Sequence, residues 1–354
     1  MMSPKSLTWG IIGAGEVVAK KWAPSLMAAP SNRVAAVLDP HRERAQPIAT
    51  ALNTRAARSL DELLDDDSIE IIYLATPHHL HAELGLAVLA AGKHLLCEKP
   101  MGRNIAEARR LAQSAAAAGR RLFVNYYRRF HPIVQAAREA ITQADFGEVT
   151  FVEFRGTYPM NWEAPWGAAW MWDRELAGGG TILNIGVHRI DIMDYLAGGI
   201  VEVAAQCEHL GSERVERWIS ATFRLAGGGC GILVQHGDAH PPEDVLAIHG
   251  RKGTVRFAPF DRRLEILRGD QPVVKDYAPP YPPHLGLLEH IAAVLEGRTE
   301  NTIVGGEQGL KTMELVSAMY TSALTGRMIS LGPNSASHYE TALSSSSGSA
   351  GADA

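Results

Sequence analysis

The apolar residues of the first 125 positions fall into short, nearly continuous runs separated by longer amphipathic stretches. Leu7–Ile12, Arg33–Asp39, Ile69–Ala75, His94–Cys97 and Arg121–Asn125 are rich in Val, Ile, Leu and Ala, the pattern of strands buried on both faces. Between them Val17–Met27, Arg42–Leu52, His81–Ala91 and Ile105–Ala118 repeat apolar residues at helical spacing, and Gly92 stands where a helix C-cap is expected. Strands alternating with helices in this way predict a doubly wound parallel sheet with right-handed crossovers.

The pattern changes after residue 125. One more helix, His131–Thr142, precedes Glu148–Thr157, where Val149, Phe151 and Phe154 mark a strand. Alternating stretches follow at Val201–Cys207, Trp218–Leu225, Cys230–His236, Asp244–His249, Gly253–Phe257 and Leu264–Arg268, divided by turn signals such as Ala226-Gly227-Gly228-Gly229 and Pro241-Pro242. This half therefore reads as a largely antiparallel sheet, closed by helices at Leu285–Leu295 and Glu307–Leu324. Residues 333–354 are rich in Ser and Ala with few large apolar side chains, the composition of a disordered tail. The expected fold class is thus α/β, in two domains. Residues 1–125 form a doubly wound parallel sheet, residues 126–332 an α+β domain with a mainly antiparallel sheet, and residues 333–354 a tail.

Composition removes several alternatives. A formal net charge of −5 gives no attraction to nucleic acid or an anionic membrane. No apolar run is long enough to span a bilayer. The opening residues lack the hydrophobic stretch of a signal peptide, so a cytoplasmic location is expected. Three scattered cysteines, Cys97, Cys207 and Cys230, imply neither a disulfide framework nor a CxxC metal site.

The first candidate site is Gly13-Ala14-Gly15, between the first strand and the first helix. The first glycine permits a tight turn, and the second lets backbone N–H groups, including those of Glu16 and Val17, approach a pyrophosphate at the positive end of the helix. Val18 stands where a third small residue is usual. Asp39 ends the second strand at the spacing from which a carboxylate accepts hydrogen bonds from an adenosine ribose. Strand, glycines, helix, strand and acid in that order predict dinucleotide binding. Asp39 would repel a 2′-phosphate, so NAD is expected over NADP, although Arg42 leaves NADP possible.

Three further segments carry a family resemblance. They are Thr76-Pro77-His78-His79-Leu80-His81-Ala82-Glu83, Gly92-Lys93-His94 leading to Glu98-Lys99-Pro100, and Gly178-Gly179-Gly180-Thr181-Ile182-Leu183-Asn184-Ile185-Gly186-Val187-His188-Arg189-Ile190-Asp191. In this order they resemble the glucose–fructose oxidoreductase, inositol dehydrogenase and rhizopine-catabolism (Gfo/Idh/MocA) family over about residues 7 to 330. The resemblance implies a Rossmann domain followed by an open-faced sheet domain. It also implies hydride transfer to or from a sugar, cyclitol or related polyol, in a homodimer or homotetramer built on the second sheet.

The same resemblance implies roles. Lys99 would take or give the hydroxyl proton and steady the developing alkoxide. His188 would accept a proton or anchor substrate hydroxyls. Asn184 occupies a position where many relatives carry Asp; an amide holds geometry but cannot stabilise an imidazolium by charge. Either Lys99 and His188 manage the proton alone or, the preferred reading, Asn184 binds a substrate oxygen. Thr76, Pro77, His78 and His81 fall where the family threads the nicotinamide ribose, and Glu98, Lys99 and Asn125 join them on the cofactor. Tyr126 and Arg128 resemble substrate-facing positions, whereas Arg129 reads as a surface or hinge charge. Asp191 is one helical turn from His188.

Trp162, Trp166, Trp170 and Trp172 crowd together. They suit an aromatic wall for a sugar ring, with Trp162, Trp170 and Trp172 the expected substrate contacts, or equally a loop pinned to the core or an interface. His78, His79 and His81 have no acidic or cysteine partners at ligand spacing, so no metal is expected. Cys97 reads as a packing residue. Two other functions remain open. One is an NAD-dependent, redox-neutral glycoside-cleaving enzyme of the same family, which would not accumulate NADH. The other is a non-catalytic nicotinamide-binding sensor, which would have no use for the Lys99 and His188 pair.

Overall fold

In the computed structural model, which describes residues 6–162, 169–208, 215–258, 262–269, 271–300 and 303–332, the parallel runs form one six-stranded sheet. Its strands are β1 (Leu7–Ile12), β2 (Asn32–Leu38), β3 (Arg55–Ala56), β4 (Ile71–Leu74), β5 (His94–Cys97) and β6 (Leu122–Val124). They are arranged in the order β3-β2-β1-β4-β5-β6, and every pairing is parallel. This is the Rossmann arrangement, whose strand order reverses between β1 and β4 and opens a crevice at their carboxyl ends. β1 and β4 are buried at every position, which accounts for their unbroken apolar sequences. β3 has two residues, too few for any periodicity to announce it.

The second sheet has nine strands: β7 (Val149–Thr157), β8 (Ile200–Cys207), β9 (Trp218–Leu225), β10 (Cys230–His236), β11 (Glu243–Gly250), β12 (Thr254–Phe257), β13 (Arg263–Leu267), β14 (Pro272–Asp276) and β15 (Ile329–Ser330). Their order is β14-β13-β12-β11-β7-β10-β9-β8-β15. It is mainly antiparallel as expected, but β7 and β10 run parallel at its centre. Alternate residues of β9 and β10 are buried, so this sheet hides one face and shows the other. Helix Val187–Ala197 covers part of the buried face, with nine of its residues buried.

The chain separates into two compact units. The first comprises residues up to Gly102, Ala106–Phe130 and Pro280–Leu310; the second comprises Arg103–Ile105, His131–Pro279 and the chain from Lys311 onward. Helix Leu285–Leu295 therefore clusters with the parallel sheet, although it follows the second sheet in sequence. The residues at 333–354 lie outside the described part of the chain.

Candidate active site

In the first unit the glycine turn sits at the switch point. Gly13 has φ +96°, and a Cβ there would lie 2.2 Å from the Ala75 carbonyl oxygen, just past β4. Only glycine fits that approach. A Cβ on Gly15 would meet nothing within 4 Å. The protein's own packing thus gives no reason for Gly15 to lack a side chain, whereas a pyrophosphate lying against the backbone does. The helix that follows begins with N–H groups that have no intrahelical acceptor. Val18 is fully buried, so the third fingerprint position has become a core contact. The Glu16 carboxylate is exposed and pairs with Lys20.

Asp39 follows β2. Its Oδ2 accepts from the Ala14 backbone N–H at 2.8 Å and its Oδ1 from His41 N–H at 2.9 Å. The acid therefore braces the glycine turn, and each oxygen keeps lone-pair capacity for a ribose hydroxyl. Arg42 is exposed and lines a recess with Gln46, Arg58 and Glu62.

Past β5 the Glu98 carboxylate gathers a polar cluster. Tyr73 Oη and Asn125 Nδ2 both donate to Glu98 Oε1, at 2.5 Å each. Burial first, and then the Glu98 charge, push the Tyr73 phenol well above its ordinary pKa, so it remains a donor. Asn125 Nδ2 also lies 3.3 Å from His284 Nε2. His284, from the returning segment, packs on Tyr127 at 4.2 Å and on Trp22 at 5.0 Å between ring centroids. No local pattern in the sequence marks His284; it belongs here because residues 280–310 fold back onto this unit. Lys99 is half-buried just beyond, before a cis peptide to Pro100.

Residues present in this unit fit a dinucleotide. Two buried acceptors, Thr76 Oγ1 and Asn125 Oδ1, have no hydrogen-bond partner among the described residues, and both belong to segments at the carboxyl ends of the parallel strands. Unmet buried acceptors call for an added donor, and a nicotinamide riboside offers hydroxyl and amide donors. Tyr126 is fully buried, whereas Arg128 is half-exposed over the Tyr127 ring at 5.2 Å. Arg129, read from the sequence as a surface or hinge charge, is not on the surface: it is 4% exposed and donates to the Ile303 carbonyl at 2.6 Å. Cys97 is fully buried, and burial pushes its thiol pKa well up, as befits a packing residue.

In the second unit the Gly178-Gly179-Gly180 run is explained by three close approaches. A Cβ at Gly178 would lie 2.3 Å from the Arg103 carbonyl oxygen, at Gly179 2.2 Å from Tyr320 Oη, and at Gly180 2.0 Å from the Glu216 carbonyl oxygen. Glu216 was not singled out by its sequence context. Its buried carboxylate accepts from Gly180 N–H at 2.7 Å and Ile182 N–H at 3.0 Å, capping the helix that carries Asn184 and His188 from 36 residues downstream. Burial raises the Glu216 pKa, opposed by the Ile182 and Gly180 N–H groups. Replacing Glu216 with alanine strands two buried donors and is expected to lower stability by about 3 kcal/mol; urea unfolding of the variant measures it.

Helix geometry places Asn184, His188 and Asp191 along one face. All three are buried, and Asn184 lies in a π-helical turn, Ile182–Gly186, a device common at functional sites. The next residue, Arg189, is held by Asp244 and by the Tyr158 hydroxyl, which fixes the rotation of the helix. Trp162 and Trp172 come together with ring centroids 4.6 Å apart, and Trp162 Nε1 donates to Asp238. Trp170 and Trp172 lie in a short helical turn, Ala169–Trp172, and both are half-buried. Trp166 lies outside the described residues. Among the described residues, no three His, Cys, Asp or Glu side chains gather as a metal site, and no helix is long and apolar enough to cross a membrane.

A doubly wound sheet with an open glycine turn and a bracing acid defines a dinucleotide-binding protein, here joined to a second unit built on a large mixed sheet. Family models agree. Residues 7–126 match an oxidoreductase family with an NAD-binding Rossmann fold, and residues 134–256 match the GFO/IDH/MocA C-terminal domain. The chain belongs to the Gfo/Idh/MocA family of NAD-binding oxidoreductases. It is 30% identical over 255 residues to the 1,5-anhydro-D-fructose reductase of Ensifer adhaerens, covering 70% of this chain and 74% of that one. It is 26% identical to the D-glucoside 3-dehydrogenase of Escherichia coli, covering 93% and 99%. Among solved structures, the WlbA dehydrogenase of Bordetella pertussis in complex with NADH and UDP-GlcNAcA matches with a TM-score of 0.82 at 25% identity, covering 94% and 100%.

Proposed function

We propose that this enzyme transfers a hydride between NAD and a hydroxyl-bearing carbon of a sugar, cyclitol or related polyol. The observation that carries the reading is Lys99 at the carboxyl end of β5, in the unit whose glycine turn is shaped for a pyrophosphate. NAD, when bound, supplies the hydride acceptor. Gly13, Ala14, Gly15 and the first helical N–H groups would hold its pyrophosphate, Asp39 its adenosine ribose, and Thr76 and Asn125 its nicotinamide end. The Lys99 amine takes the hydroxyl proton as the carbonyl forms, and its ammonium returns that proton in reduction. In the second unit, His188 and Asn184 carry the polar atoms to bind substrate oxygens, and Trp162 and Trp172 an apolar face for a sugar ring. The sugar-directed names of the relatives support the substrate class.

A panel of sugars, cyclitols, sugar acids and glycosides, followed at the nicotinamide absorbance with NAD and NADP, tests it. NADH should accumulate with at least one member of the panel, and kcat/KM should be higher for NAD than for NADP because the Asp39 carboxylate would repel a 2′-phosphate. Glycoside cleavage without NADH accumulation would replace this reading with the redox-neutral one.

A further inference from the structure

His81 was expected on the cofactor, but its ring is fully buried in the first turn of helix His78–Ala90. Its Nδ1 lies 2.8 Å from the Pro100 carbonyl oxygen, and its Nε2 lies 2.9 Å from the Thr76 carbonyl oxygen. Both ring nitrogens are therefore engaged within the first unit. The two carbonyls belong to loops leaving adjacent strands, β4 and β5. One loop begins with Ala75, whose carbonyl abuts Gly13; the other carries Lys99 one residue before Pro100.

A neutral imidazole has one N–H and can donate to only one of the carbonyls, whereas an imidazolium donates to both. Burial pushes the ring toward the neutral form, and the Pro100 and Thr76 carbonyls push it back. Burial outweighs the carbonyls and favours the neutral ring, which donates to one carbonyl only. Because His81 follows Thr76 on the same segment, a bond from Nδ1–H to the Pro100 carbonyl is by itself enough to tie the two loops. Reactive groups must be held to fractions of an ångström, and a misplacement of about 1 Å costs on the order of a hundredfold in rate.

We propose that His81 is a positioning residue that ties the Lys99 loop to the Thr76 loop and so sets where the Lys99 ammonium stands, without itself touching substrate or cofactor. The inference rests on the role of Lys99 given above, so its test includes a readout in the apo protein. Lys99 is acetylated with dilute acetic anhydride and followed by peptide mass spectrometry, with exposed Lys252 as the internal reference. In His81→Leu, Lys99 acetylation relative to Lys252 should rise about fivefold or more and kcat should fall about thirtyfold or more. His81→Asn, whose amide nitrogen stands near the Nδ1 position and can donate to the Pro100 carbonyl, should keep both within about threefold of wild type. His81→Ala removes the ring and should follow the leucine variant, which preserves the contrast if His81→Leu does not fold. Lys99 reactivity and kcat within about twofold of wild type in both His81→Leu and His81→Ala would overturn the proposal. A shift in Lys99 reactivity in a protein that oxidises no sugar would uphold the tie and overturn the hydride-transfer reading instead.

Discussion

Lys99→Ala is expected to lower kcat by about a thousandfold while leaving the NADH dissociation constant within about threefold, because general acid–base and alkoxide-stabilising contributions are of that order. The backbone of this loop keeps its anchors in the variant. Glu98 N–H still donates to the Leu74 carbonyl at 2.9 Å, and Asn125 N–H to the Cys97 carbonyl at 2.9 Å. What disappears is the one amine at the end of β5. Lys99→Arg separates its two functions, since a guanidinium keeps the charge but does not give up a proton near neutral pH. The arginine variant should therefore also be slow, within about tenfold of the alanine variant. NADH binding is read by fluorescence titration and kcat by the absorbance assay. Should Lys99→Ala retain kcat within about threefold of wild type, the proton-transfer assignment is wrong.

The second large effect is structural. Gly13→Ala forces a Cβ into van der Waals overlap with backbone, 2.2 Å from the Ala75 oxygen and 2.7 Å from its carbon, at φ +96°. Backbone cannot swing aside as a flexible side chain can. The expected result is a destabilisation of about 4 kcal/mol or more, read by urea unfolding, with loss of detectable NADH binding. Gly15→Ala supplies the contrast. With nothing within 4 Å of its added Cβ, the apo protein should unfold within about 1 kcal/mol of wild type, yet NADH affinity should fall about tenfold or more because the methyl occupies the approach to the pyrophosphate. Equal NADH affinity in Gly15→Ala and wild type would mean that the dinucleotide does not lie against this turn.

Much of the architecture was legible before any coordinates. Leu7–Ile12, His94–Cys97, Trp218–Leu225 and Cys230–His236 appear as strands with the limits their sequences suggested, and helix Leu285–Leu295 does likewise. These elements are marked by residues within a few positions of one another. Two-residue β3 and β15 carry no such mark. Strand β14 was missed as well, and all five of its residues are exposed, so it lacks the apolar alternation that betrays a half-buried strand. The dinucleotide turn was legible for the same local reason: Gly13, Gly15 and Asp39 sit at spacings set by one strand–helix–strand unit.

The alternation of strands and helices, the position of the glycine turn and the order of the family motifs are written locally in the chain, because backbone propensity and turn chemistry act over a few residues. Tertiary structure decided the parallel pairing of β7 with β10, the return of residues 280–310 to the first unit, the Glu216 cap on the helix of Asn184 and His188, and the burial of Arg129. Each of these joins residues dozens to more than a hundred positions apart. The chain contains 39 carboxylate side chains and 14 histidines, any of which has the chemistry to cap a helix or bridge two loops; only the shared burial of surface on folding selects which one does.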